Sequence, residues 1–203
     1  MIYIHFRALD DLLNSCNGLK TLTSHLQVKA QVRDYRHQVL IAIKPDLRVG
    51  HLPEGKPISM NDPDFVFNHS HSQNYYALAW SNKVSDLGID IEDLNRSVKM
   101  EALAKRSFHP NEYKMWKKLD NCREFWFKVW TIKEAVLKAH GMGIRIDLHS
   151  IDTQAHPDWD FGRVIHPLLG DFYYQNIKLT TSMMTVAYRA SRPYLSDLSL
   201  DIK

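Results

Sequence analysis

The segment from Asn121 to Ile144, NCREFWFKVWTIKEAVLKAHGMGI, constrains this chain more than any other, because its pattern predicts one long helix. Asn121 can cap the first turn while Glu124 returns a bond in a capping box, and Gly141 stands where a left-handed residue ends a helix. Apolar residues repeat at spacings of three and four, at Phe125, Val129, Ile132 and Val136. Such a stripe packs against a core, so we expect the rest of the fold to be built around this helix.

A second face of the same helix carries polar residues that could do chemistry. Thr131, Glu134 and Lys138 repeat at spacings of three and four, and Lys133 lies beside them. This spacing brings one carboxylate and two ammonium groups close together. In an isolated helix, Glu134 and Lys138 are explained as well by an exposed ion pair worth about 0.3 to 0.5 kcal/mol. A chemical role therefore needs partners from elsewhere in the chain.

The composition is that of an ordinary globular protein. Of the 203 residues, 44% are hydrophobic and 24% charged, which excludes a disordered chain and is enough for a sizeable core. The net charge of +3 is too small to require nucleic acid, but it suits an acidic partner or a phosphorylated ligand.

The cysteines and the apolar runs bear on the compartment. Cys16 and Cys122 have no CxxC spacing, which argues against a disulfide framework or a cysteine zinc site and fits a reducing compartment. The first residues lack the pattern of an export signal, and no run approaches the roughly 20 apolar residues of a membrane span. We therefore expect a cytoplasmic protein.

Strand-like and helix-like patterns alternate in blocks along the chain. Residues 2–6 predict a strand and residues 24–43 a helix. The β-rich runs FVFN, YYALAWS and LGIDIED then predict an antiparallel sheet. After Asp93 the periodicity becomes helical, with helices expected over 98–108 and 110–119 ahead of the long one. The runs RIDLHSI, DFYYQNIKL and MMTVAYRA predict further strands, and nothing suggests a parallel βαβ array.

The run GIDIE carries two carboxylates with strand spacing. A strand places Asp90 and Glu92 on one face and Ile89 and Ile91 on the other. Carboxylates buried at that spacing need a cation, and ligands that are all oxygen favour magnesium or manganese over zinc. An exposed acidic strand face is the simpler alternative. A third carboxylate would strengthen the metal interpretation, and Glu134 is the candidate.

The run NHSHS at residues 68–72 offers hydroxyls and imidazoles beside a turn. Such groups can hold a phosphate through hydrogen bonds and partial positive charge. His69 and His71 could instead be a zinc pair on a strand, but no motif supplies a third nitrogen or sulfur ligand. Histidines near turns commonly have no role, so this run alone decides nothing.

The motifs GKP, FNHSHS, GIDIE and FWFKVWTIKEAVLKAHGMGI, in this order and spacing, resemble the larger, surfactin-synthetase-activating type of bacterial 4′-phosphopantetheinyl transferase. The resemblance covers residues 54–152. It implies an α+β fold made of a pseudo-twofold pair of similar subdomains, each a small antiparallel sheet with helices. We expect residues 1–93 to form the half that faces the adenine and 3′-phosphate of coenzyme A. Residues 94–203 would form the half with the long helix and a second sheet.

The resemblance also implies which residues bind the metal and carry the chemistry. Asp90, Glu92 and Glu134 would hold a magnesium ion, or manganese in its place, that bridges the pyrophosphate of coenzyme A. Lys138 would neutralise the transferring phosphate or the departing 3′,5′-ADP, a positioned charge where negative charge develops. The catalytic residues would then be Glu134, as the candidate base, and Lys138.

Coenzyme A, the co-substrate, would have its own contacts. The cofactor-binding residues implied by the resemblance are Lys56, Ser70, His71, Lys133 and Lys138. Ser70 and His71 would hold the 3′-phosphate, Lys56 would lie near the adenine end, and Lys133 would contact the phosphates. The basic helix offers either Arg36 or Arg33 as a further phosphate contact.

The implied reaction moves the phosphopantetheine arm of coenzyme A to a serine of an acyl or peptidyl carrier protein. The carrier could belong to fatty acid, polyketide or nonribosomal peptide biosynthesis, and we expect a monomer that binds neither nucleic acid nor membrane. One rival is a magnesium-dependent phosphodiesterase or nuclease using Asp90, Glu92 and Lys138, which would not need FNHSHS or GKP. Another is a non-catalytic module that binds coenzyme A or a carrier, against which the three carboxylates argue.

Overall fold

The computed structural model describes residues 1–15, 25–143 and 145–189. Cys16, Ser24 and Ile144, which entered the sequence analysis, lie outside the described residues. The strands are β1 (Tyr3–Ala8), β2 (Val49–His51), β3 (Pro57–Ser59), β4 (Val66–His71), β5 (Tyr75–Ser81), β6 (Asp86–Asp93), β7 (Phe161–His166), β8 (Gly170–Lys178) and β9 (Ser182–Arg189). The helices are α1 (Leu9–Ser15), α2 (His25–Ile43), α3 (Met100–Ser107), α4 (Pro110–Lys118) and α5 (Arg123–His140).

Two antiparallel sheets share one connectivity. The first has the strand order β1-β5-β4 and the second β6-β9-β8-β7, while β2 and β3 form a separate pair. In each of the two larger sheets the first strand pairs with the last strand, and the last strand pairs with the one before it. The predicted α+β class is confirmed, and the repeated strand order is what a pseudo-twofold pair of subdomains requires.

Strand β6 belongs to a different sheet from the one expected. The sequence placed it beside the strands that became β4 and β5, but it pairs along its whole length with β9, from Asp86 opposite Arg189 to Asp93 opposite Ser182. Local periodicity specifies a strand and its faces but not its distant partner. We therefore propose that the two halves divide ahead of Asp86 and not after Asp93.

The layers run helix, sheet, sheet, helix. The helices α1 and α2 cover the outer face of the first sheet through a core that includes Leu12, Leu40, Tyr76 and Leu78. The two sheets pack face to face through residues that include Ile4, Ala79, Ile89 and Val186. Helix α5 covers the other face of the second sheet, and its side chains there include Ile132 and Val136. The predicted apolar stripe of this helix is thus confirmed, and all of its members are at most 3% exposed.

The long helix ends where the sequence predicted and begins later. Gly141 has a left-handed φ of 92° and closes α5, as expected. Asn121 does not cap the helix, because it has a φ of 60°, and Cys122 takes the N-cap position without a side-chain bond. The predicted capping box of Asn121 with Glu124 is therefore wrong. A capping box does occur one helix earlier, at the start of α4.

The segment after α5 is irregular where a strand was predicted. Within RIDLHSI, residues Leu148–Ser150 form a 3-10 turn, and the Asp147 side chain accepts a hydrogen bond from His149 N. An aspartate at this position favours a capped turn over a strand. No helix of the described residues is long and apolar enough to cross a bilayer.

Candidate active site

A glycine lets α5 lie directly on β6. A Cβ atom at Gly88 would stand 2.1 Å from the carbonyl oxygen of Ala135 and 2.4 Å from the backbone nitrogen of Ala139. No other residue fits so close to a helix backbone, which explains the glycine of GIDIE. Asp90 and Glu92 follow at strand spacing, so they share the face of β6 that carries Gly88 and meet α5. Ile89 and Ile91 point into the core between the sheets, as the alternation predicted.

Three polar side chains from three different elements meet at this contact. The Lys138 ammonium donates to Asp90 Oδ1 at 2.7 Å and to Ser70 Oγ at 2.8 Å. The Ser70 hydroxyl in turn donates to Asp90 Oδ1 at 3.0 Å. Lys138 therefore bonds across to β4 and β6, in place of the simple ion pair with Glu134 that its spacing allowed. We call Ser70, Asp90 and Lys138 the polar triangle.

The two glutamates beside the triangle are held in conditions that favour their protonated forms. Burial, together with the Asp90 charge, raises the pKa of Glu92 to about 7. Burial and then the Asp90 charge also raise the pKa of Glu134, against the opposing pull of Lys138. Burial is the larger cause of both shifts, and the neighbouring like charge adds to it. Asp90 therefore lies close enough to influence both glutamates.

The carboxylates Asp90, Glu92 and Glu134 offer oxygen donors of the kind that bind a divalent cation. Asp90 Oδ2 is buried and has no hydrogen-bond partner among the described residues, so one ligand oxygen is available. Oxygen donors of this kind match magnesium. Within the described part of the chain, however, no three His, Cys, Asp or Glu side chains are grouped so that they could hold a metal ion. The chemistry of the oxygen donors fits magnesium, whereas their arrangement does not form a metal site.

Two residues that sequence reasoning missed hold Glu92 in place. Trp130 Nε1 donates to Glu92 Oε1 at 3.1 Å, and Arg96 Nη1 lies 3.2 Å from Glu92 Oε2. The Trp130 ring is stacked on Trp126 with centroids 5.3 Å apart, which fixes its orientation. The signals were present, since Arg96 stands four residues after Glu92 and Trp130 stands one helical turn before Glu134.

The two histidines of NHSHS point away from the polar triangle. Side chains alternate along β4, so Ser70 shares its face with Asn68 and Ser72, while His69 and His71 lie on the opposite face. His69 Nε2 is 2.8 Å from Arg36 Nη1, and burial followed by the Arg36 charge lowers the pKa of His69 to about 3. Nε2 of His69 is therefore occupied by Arg36, and no three His, Cys, Asp or Glu side chains of the described residues are grouped for a metal ion, which argues against the zinc pair. The structure brings Ser70, but not His71, into the polar triangle.

Lys56 reaches the end of α5. Its ammonium donates to the carbonyl of Ala139 and lies 3.5 Å from Asp86 Oδ1, and burial lowers its pKa. The same side chain lines a cavity of about 210 Å³ together with Asn68, His69 and Lys138. The GKP segment therefore forms a wall of the cavity that Lys138 enters from α5.

Lys133 does not reach the cavity lined by Lys56 and Lys138. Its side chain is 1% exposed, its ammonium stands 2.8 Å from Glu112 Oε2, and it also donates to the carbonyls of Leu148 and Ile151. Consecutive residues of a helix are rotated by about 100° from one another, so Lys133 and its neighbour Glu134 face different directions. We therefore correct the expectation that Lys133 contacts the cofactor phosphates.

A basic cleft adjoins the carboxylates. It has a volume of about 410 Å³ and combines cationic with apolar side chains, namely Arg96, Lys99, Arg106, Val98, Ala102 and Leu103. Arg96 connects it to the site through its ion pair with Glu92. Arg123 fixes the loop that forms its rim by donating to the carbonyls of Leu94 and Arg96. The surface beside the candidate site is thus suited to an acidic partner.

Comparisons with known proteins agree on one family. Residues 86–187, just over half of the chain, match the model of the 4′-phosphopantetheinyl transferase superfamily. The 4′-phosphopantetheinyl transferase HetI of a Nostoc species is 43% identical over 95 residues, which are 44% of this chain and 40% of that protein. The 4′-phosphopantetheinyl transferase Sfp of Bacillus subtilis is 32% identical over 117 residues, 57% of this chain and 50% of that protein. The chain thus spans half or less of the length of these relatives.

Among solved structures, the holo-[acyl-carrier-protein] synthase of Thermotoga maritima aligns with a TM-score of 0.43 and 19% identity. The alignment covers 53% of this chain and 64% of that one. The family match begins at the first residue of β6 and includes Asp90, Glu92, Glu134 and Lys138. On the strength of that match, the chain belongs to the 4′-phosphopantetheinyl transferase superfamily.

Proposed function

We propose that this protein transfers the 4′-phosphopantetheine group from coenzyme A to a serine of an acyl or peptidyl carrier protein. The observation that carries the proposal is the polar triangle, in which Lys138 joins Asp90 of β6 to Ser70 of β4. A phosphodiesterase built on the carboxylates would have no need of Ser70. The relatives named as 4′-phosphopantetheinyl transferases support the same reaction.

Lys138 and the GKP wall supply the positive charge that a pyrophosphate needs. The Lys138 ammonium is 31% exposed at the side chain, so it can turn from Asp90 toward a phosphate in the cavity. Lys56 lines the same cavity and would meet the adenine end of coenzyme A. A fixed cation near the transferring group stabilises the charge that develops on it. His71 is proposed as a contact to the 3′-phosphate from the other face of β4.

The three carboxylates would hold the magnesium ion. Asp90, Glu92 and Glu134 supply oxygen donors, and Asp90 Oδ2 is the one that has no partner within the described residues. When bound, magnesium would polarise the phosphorus and shield its charge. Glu134 has a raised pKa and can take the proton of the carrier serine as the serine oxygen attacks the phosphorus. The bond from phosphorus to 3′,5′-ADP breaks, and Lys138 would neutralise the departing phosphate.

The basic cleft is the proposed place for the carrier. Carrier proteins are usually acidic, and Lys99 and Arg106 are exposed on a cleft whose apolar residues could receive a helix. The cleft reaches the carboxylates through Arg96, so a serine presented there would face Glu92 and Glu134. We further expect a cytoplasmic monomer.

A direct assay tests the proposal. The full chain is incubated with coenzyme A, magnesium and a panel of apo carrier proteins, and intact mass spectrometry follows each carrier. We expect at least one carrier to gain the mass of phosphopantetheine, and the gain to disappear with a chelator or with Asp90→Asn. A panel of fatty acid, polyketide and peptidyl carriers in which no carrier gains mass contradicts the proposed function.

A further inference from the structure

A row of side chains from β4 crosses to β6, although the two strands belong to different sheets. Asn68 Oδ1 accepts from the backbone nitrogen of Ile89 at 3.2 Å, and Ser70 donates to Asp90 at 3.0 Å. Two residues on, the Ser72 hydroxyl donates to Asp93 Oδ1 at 2.9 Å. The polar residues of NHSHS that face β6 therefore join the first sheet to the strand that carries the carboxylates.

The last of these hydrogen bonds, from Ser72, ends on the buried carboxylate of Asp93. Asp93 is 1% exposed, and besides Ser72 it accepts from the backbone nitrogens of Gln73 at 2.9 Å and Asn74 at 3.2 Å. Among the described residues no Lys, Arg or His forms an ion pair with it. A buried charge is costly unless hydrogen bonds satisfy it, and here three donors from one turn do so.

Through these bonds Asp93 links the end of β6 to the turn between β4 and β5. The turn at 72–74 connects β4 to β5 and directly follows Ser70 and His71, while Asp93 directly follows Glu92 at the end of β6. Two of the proposed cofactor contacts, Ser70 and His71, thus come from a different sheet from two of the proposed metal ligands, Asp90 and Glu92. Asp93 ties the end of one strand to the end of the other, where neither is held by backbone pairing between them.

We infer that Asp93 is a positioning residue, which fixes the β4–β5 turn on β6 and so sets the placement of Ser70 and His71 relative to Asp90. We call the three hydrogen bonds from Ser72, Gln73 and Asn74 to Asp93 the clamp. The inference rests on the proposed function for its effect on coenzyme A, but the clamp can be observed without turnover. It assigns to Asp93 a geometric task and no contact with the substrate, the metal or the reacting atoms.

An asparagine separates geometry from charge at this position. In Asp93→Asn the amide oxygen can still accept from the backbone nitrogens of Gln73 and Asn74, so these two bonds of the clamp survive without the charge. Asp93→Ala removes all three bonds. A positioning role predicts that Asp93→Asn keeps the protection of the turn and the affinity for coenzyme A that Asp93→Ala loses. A role as a charged metal ligand predicts that both variants are impaired.

The experiment combines three measurements on the full chain. Hydrogen exchange reports on the amides of Gln73 and Asn74, calorimetry gives the dissociation constant for coenzyme A, and steady-state kinetics separates KM from kcat. For Asp93→Ala we expect faster exchange in the turn, a KM for coenzyme A raised about tenfold, which corresponds to about 1.4 kcal/mol, and a lower kcat, because displacing Ser70 also disturbs its bonds to Asp90 and Lys138. For Asp93→Asn we expect protection and KM within about threefold of the wild type.

The outcomes are distinguishable. Wild-type KM in a folded Asp93→Ala protein, or equal impairment of the Asn and Ala variants, overturns the positioning role. If Asp93→Ala does not fold, Ser72→Ala tests the same clamp, since it removes the hydroxyl that donates to Asp93 Oδ1 and accepts from the backbone nitrogens of Asn74 and Tyr75, and unchanged exchange and KM in that variant overturn the inference. If the exchange pattern follows expectation but the wild type neither binds coenzyme A nor modifies a carrier, the proposed function fails while the clamp stands.

Discussion

The Lys133 ammonium lies 2.8 Å from Glu112 Oε2, and the two side chains are only 1% and 2% exposed. Glu112 also accepts from His109 N and from both the backbone nitrogen and the hydroxyl of Thr153. Lys133 completes its hydrogen bonds on the carbonyls of Leu148 and Ile151. This pair joins α4, α5 and the segment that follows α5, and it lies on the side of the helix away from the polar triangle.

The first prediction concerns this buried pair. Lys133→Met should reduce the free energy of unfolding by about 3 to 5 kcal/mol, because it leaves the Glu112 carboxylate buried without its cation. Adding Glu112→Gln removes that charge. The free energy of unfolding should therefore fall by less in the double variant than the sum of the falls in the two single variants, with a coupling of about 1 to 3 kcal/mol. Urea unfolding of the four proteins measures the cycle.

The kinetic side of this prediction separates anchoring from cofactor binding. Where Lys133→Met remains folded, its KM for coenzyme A should match the wild type, since the ammonium is turned away from the cavity. A raised KM with full stability would restore the contact with phosphates that the sequence suggested.

Lys133 also shows where sequence reasoning stops. Spacing along α5 correctly predicted the buried stripe, the closing Gly141 and the shared polar face of Glu134 and Lys138. It put Lys133 beside them because it lies next to Glu134 in the chain, although consecutive residues of a helix are rotated by about 100° from one another. The partner that Lys133 meets on its own face, Glu112 of α4, follows from packing between elements far apart in sequence, which local periodicity does not contain.

The same limit explains the sheet partners. Alternation in GIDIE correctly separated Asp90 and Glu92 from the isoleucines, since a strand face is a local property. The pairing of β6 with β9 joins residues about a hundred positions apart, and no local signal selects that strand over β5. Trp130 was missed for a related reason, because its contact to Glu92 depends on α5 lying on β6, whereas the spacing of four between Glu92 and Arg96 was visible in the sequence.

The second prediction concerns the carboxylates. Asp90→Asn or Glu134→Gln should lower turnover by more than about a hundredfold, roughly 2.7 kcal/mol of barrier, and should weaken the binding of Mn2+ measured by electron paramagnetic resonance. Stability should stay equal or rise, because one of several like charges is removed. The exposed Glu124→Gln, whose carboxylate pairs with Lys178, is the matched control. Turnover within about tenfold of the wild type would remove that residue from the metal site.

The third prediction concerns pH and His69. Its pKa is about 3 in the folded protein, against an ordinary value of 6.5, so protons bind the unfolded chain preferentially. The stability that His69 contributes is complete above pH 6.5 and is lost as the pH falls, by up to about 1.4 kcal/mol per pH unit. His69→Gln can still accept from Arg36 but does not titrate, and it should flatten the loss between pH 6.5 and 4.5.

Urea unfolding at several pH values checks this, with the exposed His37→Gln on the same side of the first sheet as the control. Equal acid sensitivity of the His69 variant and the wild type would show that His69 is protonated in the folded protein. In that case the Arg36 contact must rearrange.

The fourth prediction concerns the carrier and the basic cleft. The KM for an acidic carrier should rise between low and physiological salt, where the Debye length falls to about 8 Å. Lys99→Ala with Arg106→Ala should raise KM at low salt and flatten its salt dependence, with little change in the KM for coenzyme A. Arg33→Ala, an exposed arginine on α2, is the control. Salt dependence that survives in the double variant would place the carrier on another surface.

The fifth prediction compares Ser70 with His71, which stand next to each other on β4 and face opposite ways. Ser70 is bonded to Asp90 and Lys138, so Ser70→Ala should disturb the reacting end and lower kcat for any form of the cofactor. His71 has no part in that triangle, and its proposed partner is the 3′-phosphate. A charge-assisted bond to a phosphate is worth about 1.5 to 3 kcal/mol, and it lies far from the phosphorus that reacts. His71→Ala should therefore raise the KM for coenzyme A roughly tenfold or more, with a smaller effect on kcat.

Dephospho-coenzyme A, which lacks the 3′-phosphate, supplies the control substrate. The wild type should prefer coenzyme A over it, Ser70→Ala should keep that preference at a lower rate, and His71→Ala should largely lose it. The ratio of kcat/KM for the two substrates measures the preference in each protein. If His71→Ala lowers kcat/KM equally for coenzyme A and for dephospho-coenzyme A, then His71 supports the strand and does not bind the phosphate. If Ser70→Ala is the variant that loses the preference, the 3′-phosphate lies at the polar triangle, and the proposed orientation of coenzyme A must be reversed.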